Sequence, residues 1–424
     1  MKIPITQLLI HSLGIVFLAT SFDLLFSENF PVDSVYSFLK MYDELYVLLL
    51  FVFTLFYKGI GNNKVLKLLM YFSLVGFISG FNKSVPFVIQ MLGWFSIAKP
   101  VILFWCLTRY RFKWAELHLL FKYFTFLYPV IVVSYLLDLC IPSFRSSIGI
   151  VSQAEDIRMG IRSLGGLFNR FTIATLFALV YFLYFGFYKS NTKKNRKNVL
   201  FSLFMIISSL KIKDLLGLCV ASAFLFFNKF KTKNIVLVSI LVFLFFNLYA
   251  YLMPEHYNHY FSNDGDSNVA RVVLTTTAFI IANVNIPFGV GFGQYASPIS
   301  RQYFSNVYTQ YGIDNVYGLS FVNDGGLFMC DTFWPMIIGE TGYLGLLLYI
   351  LLLYGIFGDF LKAFFKSTHD LKFMFVAIMF ISFLAMSLGK PVFSGPPHCL
   401  VLFGFAGVFY SFKKNKKNQT DRFK

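Results

Sequence analysis

The chain has 424 residues, of which 57% are hydrophobic and 13% charged, with 56 phenylalanines and a formal net charge of +17. A soluble domain carries roughly twice that charged fraction. So little polar surface cannot cover a water-soluble globule of this length, so the composition defines a polytopic membrane protein, with residues 1–424 as a single integral membrane domain.

Met1 and Lys2 precede an apolar run that lacks a small-residue cleavage site and is followed by many others, which reads as a retained first helix. Apolar runs of membrane length fall at 5–26, 43–57, 65–80, 85–107, 116–140, 171–188, 199–210, 215–228, 235–252, 341–358, 372–388 and 398–411. The expected fold is therefore all-α, with about twelve transmembrane helices. The runs at 199–210 and 215–228 are too short to cross hydrocarbon as straight helices and read as one broken hairpin.

Basic residues set the expected orientation. With the N-terminus inside, 24 of the 37 Lys and Arg fall in inside segments, 11 outside, and Lys99 and Lys122 within spans. Both termini are then cytoplasmic, and the lysine runs at 189–197 and 413–417 are topology signals rather than nucleic-acid contacts. The same arrangement leaves two long outer segments, a first periplasmic loop at 141–170 and a large periplasmic loop at 253–340. No Walker loop or kinase signature occurs on the inside, so the chemistry belongs outside and needs no nucleotide.

Six of the ten arginines fall on that outer side: Arg145, Arg158, Arg162, Arg170, Arg271 and Arg301. A planar, permanently charged fork that defies the positive-inside trend points to an anionic ligand such as phosphate. The bland alternative is a set of solvated charges paired with Glu155 and Asp156. Lys211-Ile-Lys-Asp214 joins the two short runs, and charges there are either functional or a self-neutralising Lys213–Asp214 pair. Lys99 either snorkels to the headgroups or is buried for a reason. His256 and His259 lack a third ligand, the acids at 264–266 lack calcium-loop spacing, and no Cys pair has zinc spacing, so no metal and no cofactor is expected.

Asn285-Ile-Pro-Phe-Gly-Val-Gly-Phe-Gly-Gln-Tyr295 carries Gly289, Gly291 and Gly293 at alternate positions. It fails both the dinucleotide fingerprint and the phosphate-loop pattern. Two readings stay open: a turn after Pro287 that folds the large loop back, and a backbone cradle for a diphosphate.

Arg162-Ser-Leu-Gly-Gly-Leu-Phe-Asn-Arg-Phe171, Ser209-Leu-Lys-Ile-Lys-Asp-Leu-Leu-Gly217, the Arg271–Gly293 stretch and Ile338-Gly-Glu-Thr-Gly-Tyr-Leu-Gly345 together resemble the bacterial O-antigen polymerase (Wzy) and O-antigen ligase family. The resemblance covers mainly residues 160–355. It implies a membrane glycosyltransferase of GT-C-like architecture in the bacterial inner membrane, acting on undecaprenyl diphosphate-linked oligosaccharide at the periplasmic face without metal. The implied partners are that lipid-linked substrate, membrane lipid and a chain-length regulator protein, with no nucleic acid. Ligases usually carry His-Asn where this chain has Asp331-Thr332, which favours a polymerase. On this reading Arg162, Lys213 and Arg271, with Arg158 and Arg170 from the same cluster, hold the diphosphate. Arg162 and Arg271 then also count as catalytic, and Asp331 either accepts the hydroxyl proton or caps the helix that follows it. Glu340 orients a helix start. Loss of Arg162 or Arg271 is expected to stop polymerisation without loss of protein. The competing functions are an O-antigen ligase and a lipid-linked oligosaccharide flippase or transporter.

Overall fold

A computed structural model describes residues 4–22, 42–148 except 62, 157–158, 161–188 except 169, 193–226 except 210, 247, 251, 270–365 and 371–420. The His256 and His259 pair, the acids at 264–266, Glu155, Asp156 and the 235–252 run apart from residues 247 and 251 lie outside the described residues.

The architecture is helical, apart from two antiparallel two-residue strands, β1 (Ile157–Arg158) and β2 (Ile161–Arg162), with Ile157 opposite Arg162. The main helices are α1 (Ile5–Ser21), α2 (Tyr42–Lys58), α3 (Lys64–Asn82), α4 (Phe87–Thr108), α5 (Trp114–Cys140) and α6 (Phe171–Leu183). They continue with α7 (Lys193–Ser208), α8 (Ile212–Phe226), α9 (Ala270–Val284), α10 (Trp334–Phe365), α11 (Leu371–Met386) and α12 (Pro396–Thr420). Among the described residues, four helices are long and apolar enough to cross a membrane: α3, α4, α5 and α10.

Helix α6 is buried on every face from Ile173 to Leu183, and α4 from Ile97 to Leu107, which places both in the interior of the bundle. Helix α4 packs on α12, α3 on α10, α8 on α11 and α9 on α10. The phenylalanine excess fills this interior. Phe357 and Phe380 stack at 4.1 Å, and Phe121 meets Phe405 at 5.1 Å.

The short runs at 199–210 and 215–228 become α7 and α8, joined by a tight turn in which Ser209 is buried. The segment expected as one long loop from 253 carries α9, whose Leu274, Ala278, Ile281 and Ala282 face the core at helical spacing. It is amphipathic and only 15 residues long, so a search for membrane-length apolar runs passes over it.

Helix α10 is broken at Gly342, where φ is +67° and ψ −167°. The glycine-rich loop fills that break. The Val290 N–H donates to Gly339 O at 3.0 Å and the Gly291 N–H to Glu340 O at 2.9 Å. The Glu340 carboxylate accepts from the N–H of Tyr295 at 3.2 Å and faces the N–H groups of Gly293 and Gln294. Phe292 inserts between α3 and α4, 5.6 Å from the Phe72 ring and 5.4 Å from the Phe77 ring. The turn reading is therefore correct and the diphosphate cradle is not, because these backbone donors serve α10. Glu340 anchors this loop from inside α10 rather than at a helix start.

Bare backbone is needed here for close approach. A Cβ on Gly291, at φ +98°, would lie 2.3 Å from Gly80 Cα, and one on Gly93 would lie 2.3 Å from Gly293 N. Gly291→Ala should therefore cost about 1–3 kcal/mol from backbone strain alone. Thermal melting in detergent should show a lower Tm than Gly312→Ala, where φ is +66° but a Cβ meets nothing within 4 Å. Equal melting of the two variants would refute the packing role.

Candidate functional site: a charged cluster at the end of α5 and α6

The apolar stretch Ser134-Tyr-Leu-Leu-Asp138 ends α5 with a carboxylate that cannot remain unpaired in such a setting. Asp138 is fully buried, and its Oδ2 accepts from the N–H groups of Gly165 and Gly166, each at 2.9 Å. Its Oδ1 pairs with Arg162 at 3.0 Å. The Arg162 guanidinium also donates to the carbonyls of Asp138 and, at 3.0 Å, Pro142. Arg162 thus fastens the 161–166 segment to the end of α5.

Arg145, in a one-turn helix just beyond α5, is buried and donates to Phe168 O at 2.9 Å. Burial pulls its guanidinium below the ordinary pKa, and Asp138 opposes that shift. The Arg145 guanidinium lies 4.7 Å from the Phe171 ring centroid and the Lys211 ammonium lies 5.3 Å from it. Phe171, the first residue of α6, thus collects two cations from sequence-distant turns.

Asp214 in the first turn of α8 completes the cluster. It binds the Lys390 ammonium, which the α11–α12 connection supplies, and accepts from the Thr175 hydroxyl at 2.8 Å. Both charged groups are buried, and burial holds the Lys390 ammonium below its ordinary pKa while Asp214 opposes the shift. The expectation of a self-neutralising Lys213–Asp214 pair gains a distant member: Asp214 binds Lys390, while the Lys213 side chain lies outside the described residues. Tyr135 and Ser163 bring buried hydroxyls that lack hydrogen-bond partners among the described residues. Tyr135 feels the charges of Asp138, Arg145 and Asp214. Four cations (Arg145, Arg162, Lys211, Lys390) gather here around two carboxylates (Asp138, Asp214) and the Phe171 ring.

A second group adjoins at Arg170, the exposed cap residue of α6. The charges of Arg170 and Arg301 both reach Cys330, whose thiol burial nevertheless pushes above its ordinary pKa. Next to it, Asp331 pairs with Arg271 at 2.5 Å, each side chain about a third exposed. Helix α10 begins at Trp334, and the Asp331 carboxylate is committed to Arg271 rather than to capping that helix. Arg301 donates to Gly325 O at 3.0 Å. Trp334 donates to the Ser387 hydroxyl at 2.8 Å, tying this group to the connection that carries Lys390.

Arg145 and Arg162 of the 141–170 segment thus meet at the end of α5, and the charge of Arg170 reaches Cys330 in the 253–340 segment. Arg158 lies in β1 and Lys213 in the first turn of α8, but their side chains are outside the described residues. Asp138 and Lys390 carry much of the cluster and were not singled out from sequence. The available signal was a lone charge within or beside an apolar run, as in Leu137-Asp138-Leu139 and Leu388-Gly-Lys390.

A separate ionic group lies inside the bundle. The Lys99 ammonium binds Asp43 at 2.6 Å and also Glu44, so Lys99 is buried between helices rather than snorkelling.

Fold and site together define an all-α, multi-pass membrane protein with a cation-rich cluster at one end of its bundle. No protein-family model and no curated protein matches the chain.

Proposed function

We propose that this protein is an O-antigen polymerase, a glycosyltransferase that joins undecaprenyl diphosphate-linked oligosaccharide repeat units at the periplasmic face of the bacterial inner membrane. The observation that carries the reading is the convergence of four cations, Arg145, Arg162, Lys211 and Lys390, around Asp138, Asp214 and the Phe171 ring at one end of the bundle. A lipid diphosphate is the kind of anion that such a gathering of cations attracts. About twelve spans, with both termini cytoplasmic, put the cluster on the outer side.

In the reaction, a hydroxyl of the incoming repeat unit attacks the anomeric carbon of the growing chain. A new glycosidic C–O bond forms as the bond from that carbon to the diphosphate oxygen breaks. The leaving diphosphate takes the bonding electron pair, and fixed cations aimed at that developing charge supply several kcal/mol of stabilisation. Asp331 receives the hydroxyl proton, and its pairing with Arg271 orients it beforehand. No step requires a metal.

Deleting the gene and resolving the lipopolysaccharide by gel tests this. The expected result is loss of the polymer ladder with one repeat unit retained on the core. Loss of all O-antigen would instead identify a ligase or flippase. Arg271→Ala should also abolish the ladder at unchanged protein abundance, because its ion pair is partly exposed and adds only about 0–1 kcal/mol to stability. A full ladder from this variant would remove Arg271 from the site.

The transporter reading has one observation in its favour, the Lys99–Asp43–Glu44 group within the helices, since intramembrane charges often mark translocation paths.

A further inference from the structure

At the end of the bundle remote from the charged cluster, two cavities adjoin. Helix α5 separates the two ends: Trp114 and Asp138 are 24 residues apart on it, roughly 36 Å. The first cavity is a groove of about 800 Å³ between α2, α3 and α4. Its wall is apolar along Leu45, Leu48, Leu66, Met70, Met91 and Phe95. The same helices expose Leu48, Leu49, Met70 and Leu74, so the groove opens on a surface that only hydrocarbon suits. The second cavity, of about 360 Å³, is polar and contains Lys64, Arg109 and Lys362 against one carboxylate, Asp359. Asn63 lines both.

The two ends of the groove differ in charge. Lys67 lines it near Asn63, and the Arg109 side chain closes over Gly61 and donates to Lys58 O at 3.0 Å. Arg109 Nε is buried without a hydrogen-bond partner among the described residues. Glu44 lies toward the other end, 14 residues from Lys58 along α2 or about 21 Å. That length exceeds the roughly 15 Å depth of one leaflet in a hydrocarbon core about 30 Å thick, so acyl chains fit along the groove. An amphiphile entering this groove is oriented by charge: an anionic head is drawn to Lys64, Arg109 and Lys362 and repelled from Glu44.

We propose that this composite site binds one anionic glycerophospholipid, with its phosphate in the Lys64–Arg109–Lys362 cavity and its acyl chains in the α2–α3–α4 groove. A zwitterionic lipid places an ammonium among the same cations and is disfavoured. The site is independent of the polymerase reading, because it lies at the opposite end of α5 and needs no reaction. It is a structural lipid site on the lysine-rich side of the bundle.

The test uses the purified full-length protein in detergent, given dioleoylphosphatidylglycerol or dioleoylphosphatidylcholine, with bound lipid counted by native mass spectrometry. Retention of phosphatidylglycerol over phosphatidylcholine is expected. Each of Lys362→Gln and Arg109→Gln should reduce the preference about fivefold, the effect of one basic residue near an anionic lipid surface. Lys362 is exposed, so its variant keeps the test valid should Arg109→Gln fail to fold. Met70→Trp, which fills the groove, should lower retention of the phosphatidylglycerol while leaving the elution profile unchanged. Equal retention of both lipids, or an unchanged preference in Lys362→Gln, would overturn the proposal. Loss of the phosphatidylglycerol preference in inorganic phosphate, with both lipids still retained, would reduce the cation cavity to a phosphate pocket and overturn it as well.

Discussion

Lys99→Met is expected to collapse the yield of folded protein. Asp43 and Glu44 occupy one turn of α2 and share the single Lys99 ammonium, and Lys99 and Asp43 are almost fully buried. Removing the cation leaves two adjacent carboxylates against apolar walls. Breaking a buried pair from one side typically costs about 3–5 kcal/mol, and a charge in a membrane helix about 2.5–3.5 kcal/mol on insertion scales. Either figure is a large share of the stability of a folded protein, usually about 5–15 kcal/mol.

The triple variant Lys99→Met, Asp43→Asn, Glu44→Gln removes the whole ionic group together and should recover most of the yield. Fluorescence-detected size exclusion from membranes measures both outcomes. Its lipopolysaccharide pattern also separates the two functional readings. A folded triple variant that keeps the ladder makes the group structural, whereas a transporter that depends on these charges fails even when folded. Wild-type yield from Lys99→Met alone would show that the ammonium is not holding the two helices.

Membrane character and most helices were legible in the sequence because both follow from local composition. Apolar length and helical period survive in any window, which is why Phe87–Thr108 and Trp114–Cys140 stand close to their expected limits. Pairings were not legible. Asp138 and Arg162 are 24 residues apart, Asp43 and Lys99 are 56, and Asp214 and Lys390 are 176. Residue types announce that such charges need partners, but only the packing of α8 on α11 brings the distant Lys390 to Asp214. The glycine loop illustrates the same limit. Alternate glycines declare that backbone must come close to something, and the break in α10 at Gly342 supplies that something 49 residues after Gly293. The arginine excess was legible as a group, while its split into Arg162 bound to Asp138 and Arg271 bound to Asp331 was not.

That split changes what Arg162 should do when removed. Alone among the sequence, Arg162→Ala is expected to stop polymerisation with protein abundance intact. Its clamp on Asp138 argues otherwise: the variant leaves a fully buried carboxylate with only the Gly165 and Gly166 N–H groups. A buried group left short of a partner costs about 1–3 kcal/mol, more when charged. Arg162→Ala should therefore lose both the ladder and part of the folded protein, a loss visible as a lower Tm. The double variant Arg162→Met, Asp138→Asn removes both charges and keeps an amide oxygen for the two glycine N–H groups, so folding should recover. Its polymer is then the decisive readout. If Arg162 meets the diphosphate, the refolded double variant still lacks the ladder, because the charge that stabilises the leaving group is gone. If the ladder returns with the fold, Arg162 serves only to fasten the loop to α5, and Arg145, Lys211 and Lys390 remain as the cations that could hold the anion.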